Sequence, residues 1–127
     1  MKVVDASAFI DSLSHGERGP TLRRHLDDDL FAPDLLVSEV LTFFRRKLQQ
    51  GKITDPEADD LVQRFRRAPI EYLHTWPYAE QIWLWRHNLT AYDAAYVAMA
   101  ADLGATLVTT DLRLARAAEG LVPVIAV

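Results

Sequence analysis

The sequence contains no cysteine, which excludes disulfides and thiolate metal sites. It has no apolar run of about 18 residues, so no membrane-spanning helix is expected. No glycine-rich phosphate loop is present, which argues against a nucleotide cradle. No G-x-S-x-G elbow is present either, so nothing supports an α/β-hydrolase. The four histidines, His15, His25, His74 and His87, show no metal-ligand spacing. There is no long polar linker, internal repeat or low-complexity segment, and a single domain over residues 1–127 is expected. Positive charge is not in excess. The net charge of -4 argues against a broadly basic nucleic-acid binder. That argument weakens if four of the 18 acids are gathered in one site, because 14 then remain against 14 bases. With the first strand expected from residue 2, no leader peptide is expected, and the default compartment is the cytoplasm.

What is present is ample apolar material, 50% of the residues, arranged in alternating strand and helix patterns. The organising stretch is Met1 to Phe9. Val3 and Val4 read as a buried strand that delivers Asp5 to its C-terminal end, where the sites of open α/β sheets lie. Helices are expected over Ser7 to Leu13 and over Pro20 to Asp28. Leu30 to Pro33 reads as a short strand. Asp34 opens a long helix with an apolar stripe of Leu36, Val40, Phe43, Phe44 and Leu48, closed by Gly51. Thr54 and Glu57 have capping-box spacing, opening a helix that stops near Arg67, before Pro69. A strand over Ile70 to His74, a helix over Pro77 to His87 and an alanine-rich helix over Thr90 to Leu103 follow. A buried strand over Ala105 to Thr109, a helix over Leu112 to Ala118 and a strand over Val122 to Val127 complete the chain. The alternation predicts an α/β fold, a mostly parallel sheet covered on both faces.

Three further acids break their surroundings. Glu39 lies on or beside the apolar stripe of the long helix. Asp93 lies on an otherwise apolar helix face. Asp111 follows a strand as Asp5 does. Each also fits a structural role: Asp5 and Asp111 as helix N-caps, Asp93 in a capping box with Thr90, and Glu39 at the stripe's edge. The joint pattern weighs more. Two acids at strand ends and two on inward helix faces, if gathered, repel one another and lose hydration. A divalent cation removes that cost, and magnesium or manganese prefers carboxylate oxygens. Such an ion can activate water against a phosphodiester. Ser7 and Thr109 are placed to hydrogen-bond the acids or a bound water.

VVDASAF at the start, SEV in the long helix, TAYDAAYVAMA, and LVTTDLRLARA near the end together resemble the PIN domain, and most closely the toxins of VapBC-type toxin–antitoxin modules. No single motif is specific, but four occur in the family's order across nearly the whole chain. The resemblance implies a three-layer α/β/α sandwich and a Mg²⁺- or Mn²⁺-dependent endoribonuclease with Asp5, Glu39, Asp93 and Asp111 as its acids. It places the family's small hydroxyl residues at Ser7 and Thr109. Many relatives carry Asn three residues after the helix Glu; here the residue is Thr42, with the following arginines retained as Arg45 and Arg46.

In that setting Arg45, Arg46, Arg86, Arg113 and Arg116 are candidates for holding RNA, because they flank the motif acids. The expected partners are an RNA substrate, a cognate antitoxin and a second copy of the chain, with no membrane. A groove lined by Leu22, Leu26, Phe43 and Phe44 is the expected antitoxin seat. Two alternatives remain: a PIN-like binding module with little catalysis, and another Mg²⁺-dependent phosphohydrolase. A haloacid-dehalogenase-like phosphatase would want a second Asp where Ser7 stands.

Overall fold

The computed structural model describes residues 1–127. Five strands form one parallel sheet: β1 (Lys2–Val4), β2 (Leu30–Pro33), β3 (Ile70–Leu73), β4 (Thr106–Thr109) and β5 (Val124–Ala126). Their order is β3-β2-β1-β4-β5. The chain therefore builds outward from β1 in one direction, then returns to add β4 and β5 on the other side. The reversal lies between β1 and β4, where Lys2, Val3 and Val4 pair with Thr106, Leu107 and Val108. Adjacent crossovers diverge at such a point and leave a crevice beyond the strand ends.

Seven helices cover the sheet: α1 (Ala6–Ser12), α2 (Arg18–His25), α3 (Leu35–Gln49), α4 (Asp55–Arg67), α5 (Ala79–Leu84), α6 (Ala91–Leu103) and α7 (Leu112–Ala118). Right-handed crossovers put α1 to α4 on one face and α5 to α7 on the other. The contacts agree: α1 packs on α2 and α3, α3 packs on α4, and α5 packs on α6. This is the parallel sheet covered on both faces that the alternation predicts, and the three-layer α/β/α sandwich that the resemblance implies.

The central strand is wholly apolar inside, with Val3 and Val4 fully buried. Helix α6 is buried along its whole middle, from Ala94 to Ala100. A helix apolar all round belongs in the core, and its alanines let it lie close against β1, β2 and β4. Gly104 ends it at φ +62°, where a side chain would be strained. The Thr54–Glu57 capping box forms in full, with Glu57 N–H donating to Thr54 Oγ1 at 3.3 Å and Thr54 N–H to Glu57 Oε1 at 3.1 Å.

Some boundaries differ from expectation. Helix α2 starts at Arg18, so Pro20 falls third in the first turn, where its missing N–H costs no bond. The helix expected over Pro77 to His87 is divided into a 3₁₀ turn (Trp76–Tyr78) and α5. Beyond Leu84, i→i+3 bonds from Arg86 N–H to Trp83 O and from Asn88 N–H to Trp85 O tighten the chain into turns. Trp85 packs against the core, whereas Trp83 and Trp76 stand 66% and 83% exposed. That separation fits two residues spaced two apart on a helix, which cannot share a face. The expected groove of Leu22, Leu26, Phe43 and Phe44 is not formed, because Leu22 and Phe44 are core residues. An open groove instead runs between α1 and α3, lined by Ala6, Ile10, Phe43 and Tyr92 with Glu39, Thr42 and Arg46.

Candidate metal-carboxylate site

Asp5 directly follows β1 and caps α1, its Oδ1 accepting from Ala8 N–H at 2.8 Å. It is only 4% exposed, in the crevice between β1 and β4. Its backbone N–H extends the ladder to Val108 O of β4. Ser7 Oγ donates to Oδ1 at 2.7 Å, and Thr109 Oγ1 donates to Oδ2 at 2.5 Å. The two hydroxyls have one proton each, so both protons are used on the ionised carboxylate. The 3.2 Å separation of Ser7 Oγ and Thr109 Oγ1 then holds no proton of its own. Thr110 N–H donates to Ser7 Oγ at 3.1 Å, and Asp111 N–H to Thr109 Oγ1 at 3.0 Å. Residues 109–111 are thus tied to the first motif through the two hydroxyls, each of which also bonds Asp5.

Burial raises the Asp5 carboxyl to about 6, against the pull of its Thr109, Ala8 and Ser7 donors, and the Asp111 charge adds to the rise. Asp111 caps α7, accepting from the backbone of Arg113 at 2.9 Å and of Leu114 at 3.2 Å. Both strand-end acids therefore are caps. Capping uses one oxygen of Asp111 and leaves Oδ2 free for other partners.

Glu39 sits half-buried on α3. Burial raises its carboxyl, Tyr96 opposes the rise, and the Asp93 charge adds to it. Tyr96 Oη donates to Glu39 Oε1 at 2.7 Å, joining α6 to α3. Burial and then the Glu39 carboxylate push the Tyr96 phenol up, so it stays a donor. This contact was missed in sequence. A tyrosine inside an alanine-rich apolar helix is its signal, because a buried hydroxyl needs a partner.

The Asp93 backbone N–H donates to Thr90 Oγ1 at 3.2 Å, so Thr90 caps α6. The reciprocal arm of a capping box does not form. Instead Asp93 Oδ2 takes Arg113 Nη2 at 2.9 Å, and the same nitrogen lies 3.2 Å from Asp111 Oδ2.

Geometry links the acids through shared partners, Arg113 Nη2 lying between Asp93 and Asp111 and Tyr96 Oη reaching Glu39, while, on top of burial, the Asp111 charge raises Asp5 slightly and the Asp93 charge raises Glu39. No three of them converge into a ready-made cation cage. The donor set is all oxygen and anionic, which fits a hard divalent cation. A cationic nitrogen already lies between two of the carboxylates. Among the other arginines, Arg45, Arg46 and Arg116 are exposed, and Arg46 lines the α1–α3 groove with Glu39. Arg86 is engaged elsewhere. It donates to Trp83 O at 2.9 Å and stacks 4.5 Å over the Trp83 ring.

A family model described as "PIN domain" matches residues 2–120. Ribonuclease VapC9 of Mycobacterium tuberculosis is 35% identical over 124 residues, covering 98% of this chain and 96% of that protein. Among solved structures, PAE2754 from Pyrobaculum aerophilum superposes with a TM-score of 0.71 at 20% identity, covering 97% of this chain and 89% of that one. VapBC2 from Rickettsia felis, bound to a DNA fragment from their promoter, gives a TM-score of 0.66 at 12% identity, covering 98% and 97%. No helix of this chain is long and apolar enough to cross a membrane. With the family model spanning nearly all of its length and a VapC ribonuclease aligned across both chains, this protein belongs to the PIN domain family.

Proposed function

We propose that this chain is a Mg²⁺-dependent endoribonuclease, with Mn²⁺ able to substitute, and that it is the toxin of a toxin–antitoxin pair acting in the cytoplasm. The observation that carries this is Asp5. It is a buried carboxylate at the sheet's reversal point, held on both oxygens by fixed donors and in charge contact with a second motif acid. Its relatives' names, VapC ribonucleases, support the substrate class. Asp5, Glu39, Asp93 and Asp111 would hold the cation. When bound, a divalent ion would polarise a phosphodiester oxygen and lower the pKa of water, so that hydrolysis proceeds near neutral pH. Ser7 and Thr109 fix the Asp5 rotamer, and Thr109 also fixes the loop carrying Asp111. Exposed Arg45, Arg46 and Arg116 are suited to RNA phosphates around the acidic centre.

A cognate antitoxin fits the α1–α3 groove, whose Ile10, Phe43 and Tyr92 offer apolar anchorage and whose Glu39 would receive a basic side chain. The VapBC2 structure, named for a complex, supports a partner of this kind. Self-association would use the exposed Trp76, Trp83 and Leu84. The deciding experiment is incubation of purified protein with RNA in Mg²⁺ and in EDTA. Cleavage in Mg²⁺ that stops in EDTA and in Asp5→Asn is expected. Cleavage unaffected by EDTA would reject the metal-dependent reading, and RNA left intact in Mg²⁺ and Mn²⁺ would reject the enzyme.

A further inference from the structure

Arg113 was expected on RNA, and the structure places it on the acids. Its Nη2 stands 2.9 Å from Asp93 Oδ2 and 3.2 Å from Asp111 Oδ2. An arginine meeting a carboxylate squarely uses two nitrogens on one group. Here one nitrogen is shared between two carboxylates that come from different elements, the first turn of α6 and the cap of α7. The rest of the guanidinium faces water, the side chain being 65% exposed.

The backbone favours this placement. Asp111 caps the amide of Arg113 itself, so the side chain starts from beside the acid it pairs with. Two oxygens held at hydrogen-bond distances from a shared nitrogen are too far from that point to coordinate an ion there, since Mg²⁺–oxygen distances are about 2.0–2.1 Å. This accounts for acids that are coupled yet form no cage.

We propose that Arg113 is a built-in competitor for the divalent cation. Its guanidinium clamps Asp93 and Asp111 in the metal-free protein and must leave before those two carboxylates can ligate an ion. The inference rests on the acids being a metal site, as proposed above. Arg113 then sets the metal concentration at which the site fills. Both ion pairs lie at the surface, so the competition is modest. Exposed pairs of this kind are individually weak, so a change of about threefold to tenfold in metal affinity is expected.

The test is a titration of the full chain with Mn²⁺ alone, free Mn²⁺ being followed by electron paramagnetic resonance. The parent, Arg113→Gln and Arg116→Gln are compared. Arg116 is exposed on the same helix and pairs with none of the acids, so its loss removes the same net charge without opening the clamp. Arg113→Gln should bind Mn²⁺ about threefold to tenfold more tightly than the parent, and Arg116→Gln less than twofold. Arg113→Lys, a shorter point charge, should fall between parent and Gln. Thermal melts in EDTA check that each variant is folded. Equal tightening in Arg113→Gln and Arg116→Gln would reduce the effect to net charge and overturn the proposal. So would unchanged or weaker binding in Arg113→Gln. Those results leave the metal site standing if the parent binds Mn²⁺. Absence of Mn²⁺ binding in all of the proteins would instead overturn the metal site, and this inference with it.

Discussion

The two ends of the acid cluster are built differently. Asp5 itself is buried, held locally by Ser7 and Ala8 and from β4 by Val108 and Thr109, more than a hundred residues away in sequence. Around Asp93 and Asp111 the contacts run to an exposed arginine. The first end is fixed by the sheet and is as rigid as the core beneath it. The second is held by ion pairs that water and salt can compete for. On the metal reading proposed above, Asp5 would be a permanent ligand, and Asp93 and Asp111 would become ligands only once Arg113 lets them go.

The comparison breaks most visibly in activity. Asp5→Asn and Asp93→Asn should each lower RNA cleavage by orders of magnitude, measured as initial rates on a labelled RNA in Mg²⁺. If the Asp93 variant retained full activity, Asp93 would be an ion-pair partner of Arg113 and nothing more.

Stability against pH separates the two ends next. Asp5 has a folded-state value near 6, above its ordinary 3.8. An acid whose value rises on folding binds more protons folded than unfolded. The metal-free protein should therefore lose stability as pH rises from about 4 to 6, with the penalty fully present above 6. The scale is about 2–3 kcal/mol. Urea melts in EDTA at several pH values should show this slope, and Asp5→Asn should remove most of it. A parent profile flat across that window would contradict the buried-charge account. By the same linkage, Mg²⁺ should stabilise the parent more at pH 7 than at pH 5, where it must displace a proton.

Thr109→Val tests the rigid end without touching an acid. Thr109 is fully buried, donates to Asp5 and accepts from Asp111 N–H. Valine keeps the shape and leaves both groups unpaired, at a cost of about 1–3 kcal/mol by chemical melt. A loss under 0.5 kcal/mol would mean that the hydroxyl is dispensable.

The smallest effect belongs to the exposed end. Asp93→Asn relieves repulsion from Glu39 but gives up a charged partner for Arg113, so stability in EDTA should change by no more than about 0.5 kcal/mol. Added Mg²⁺ should raise the melting temperature of the parent more than that of this variant. Equal shifts would remove Asp93 from the metal site.

How much of this was legible in sequence follows from range. The strand that delivers Asp5, the capping box at Thr54 and the glycine stop at Gly104 are local, and periodicity or spacing reveals them. That Thr109 would meet Asp5 was legible in kind, since small hydroxyls beside strand-end acids have few other uses there. The partner of Arg113 was not. It depends on how the α6 and α7 starts are brought together by β4, and twenty positions separate Arg113 from Asp93. The expected Leu22–Phe44 groove failed for a related reason. Helical spacing says which residues share a face, not whether another helix already covers it.

One consequence concerns light. All three tryptophans fall between Trp76 and Trp85, on the α5 side of the molecule. Two of them look out into water, and one of those lies under a guanidinium. The intrinsic emission of this protein is therefore a local signal. It should be red and readily quenched in the isolated chain, and it should turn blue when another surface settles over that corner. Events at the acids should leave the spectrum almost untouched, so a single fluorimeter trace can distinguish company at α5 from chemistry at the crevice.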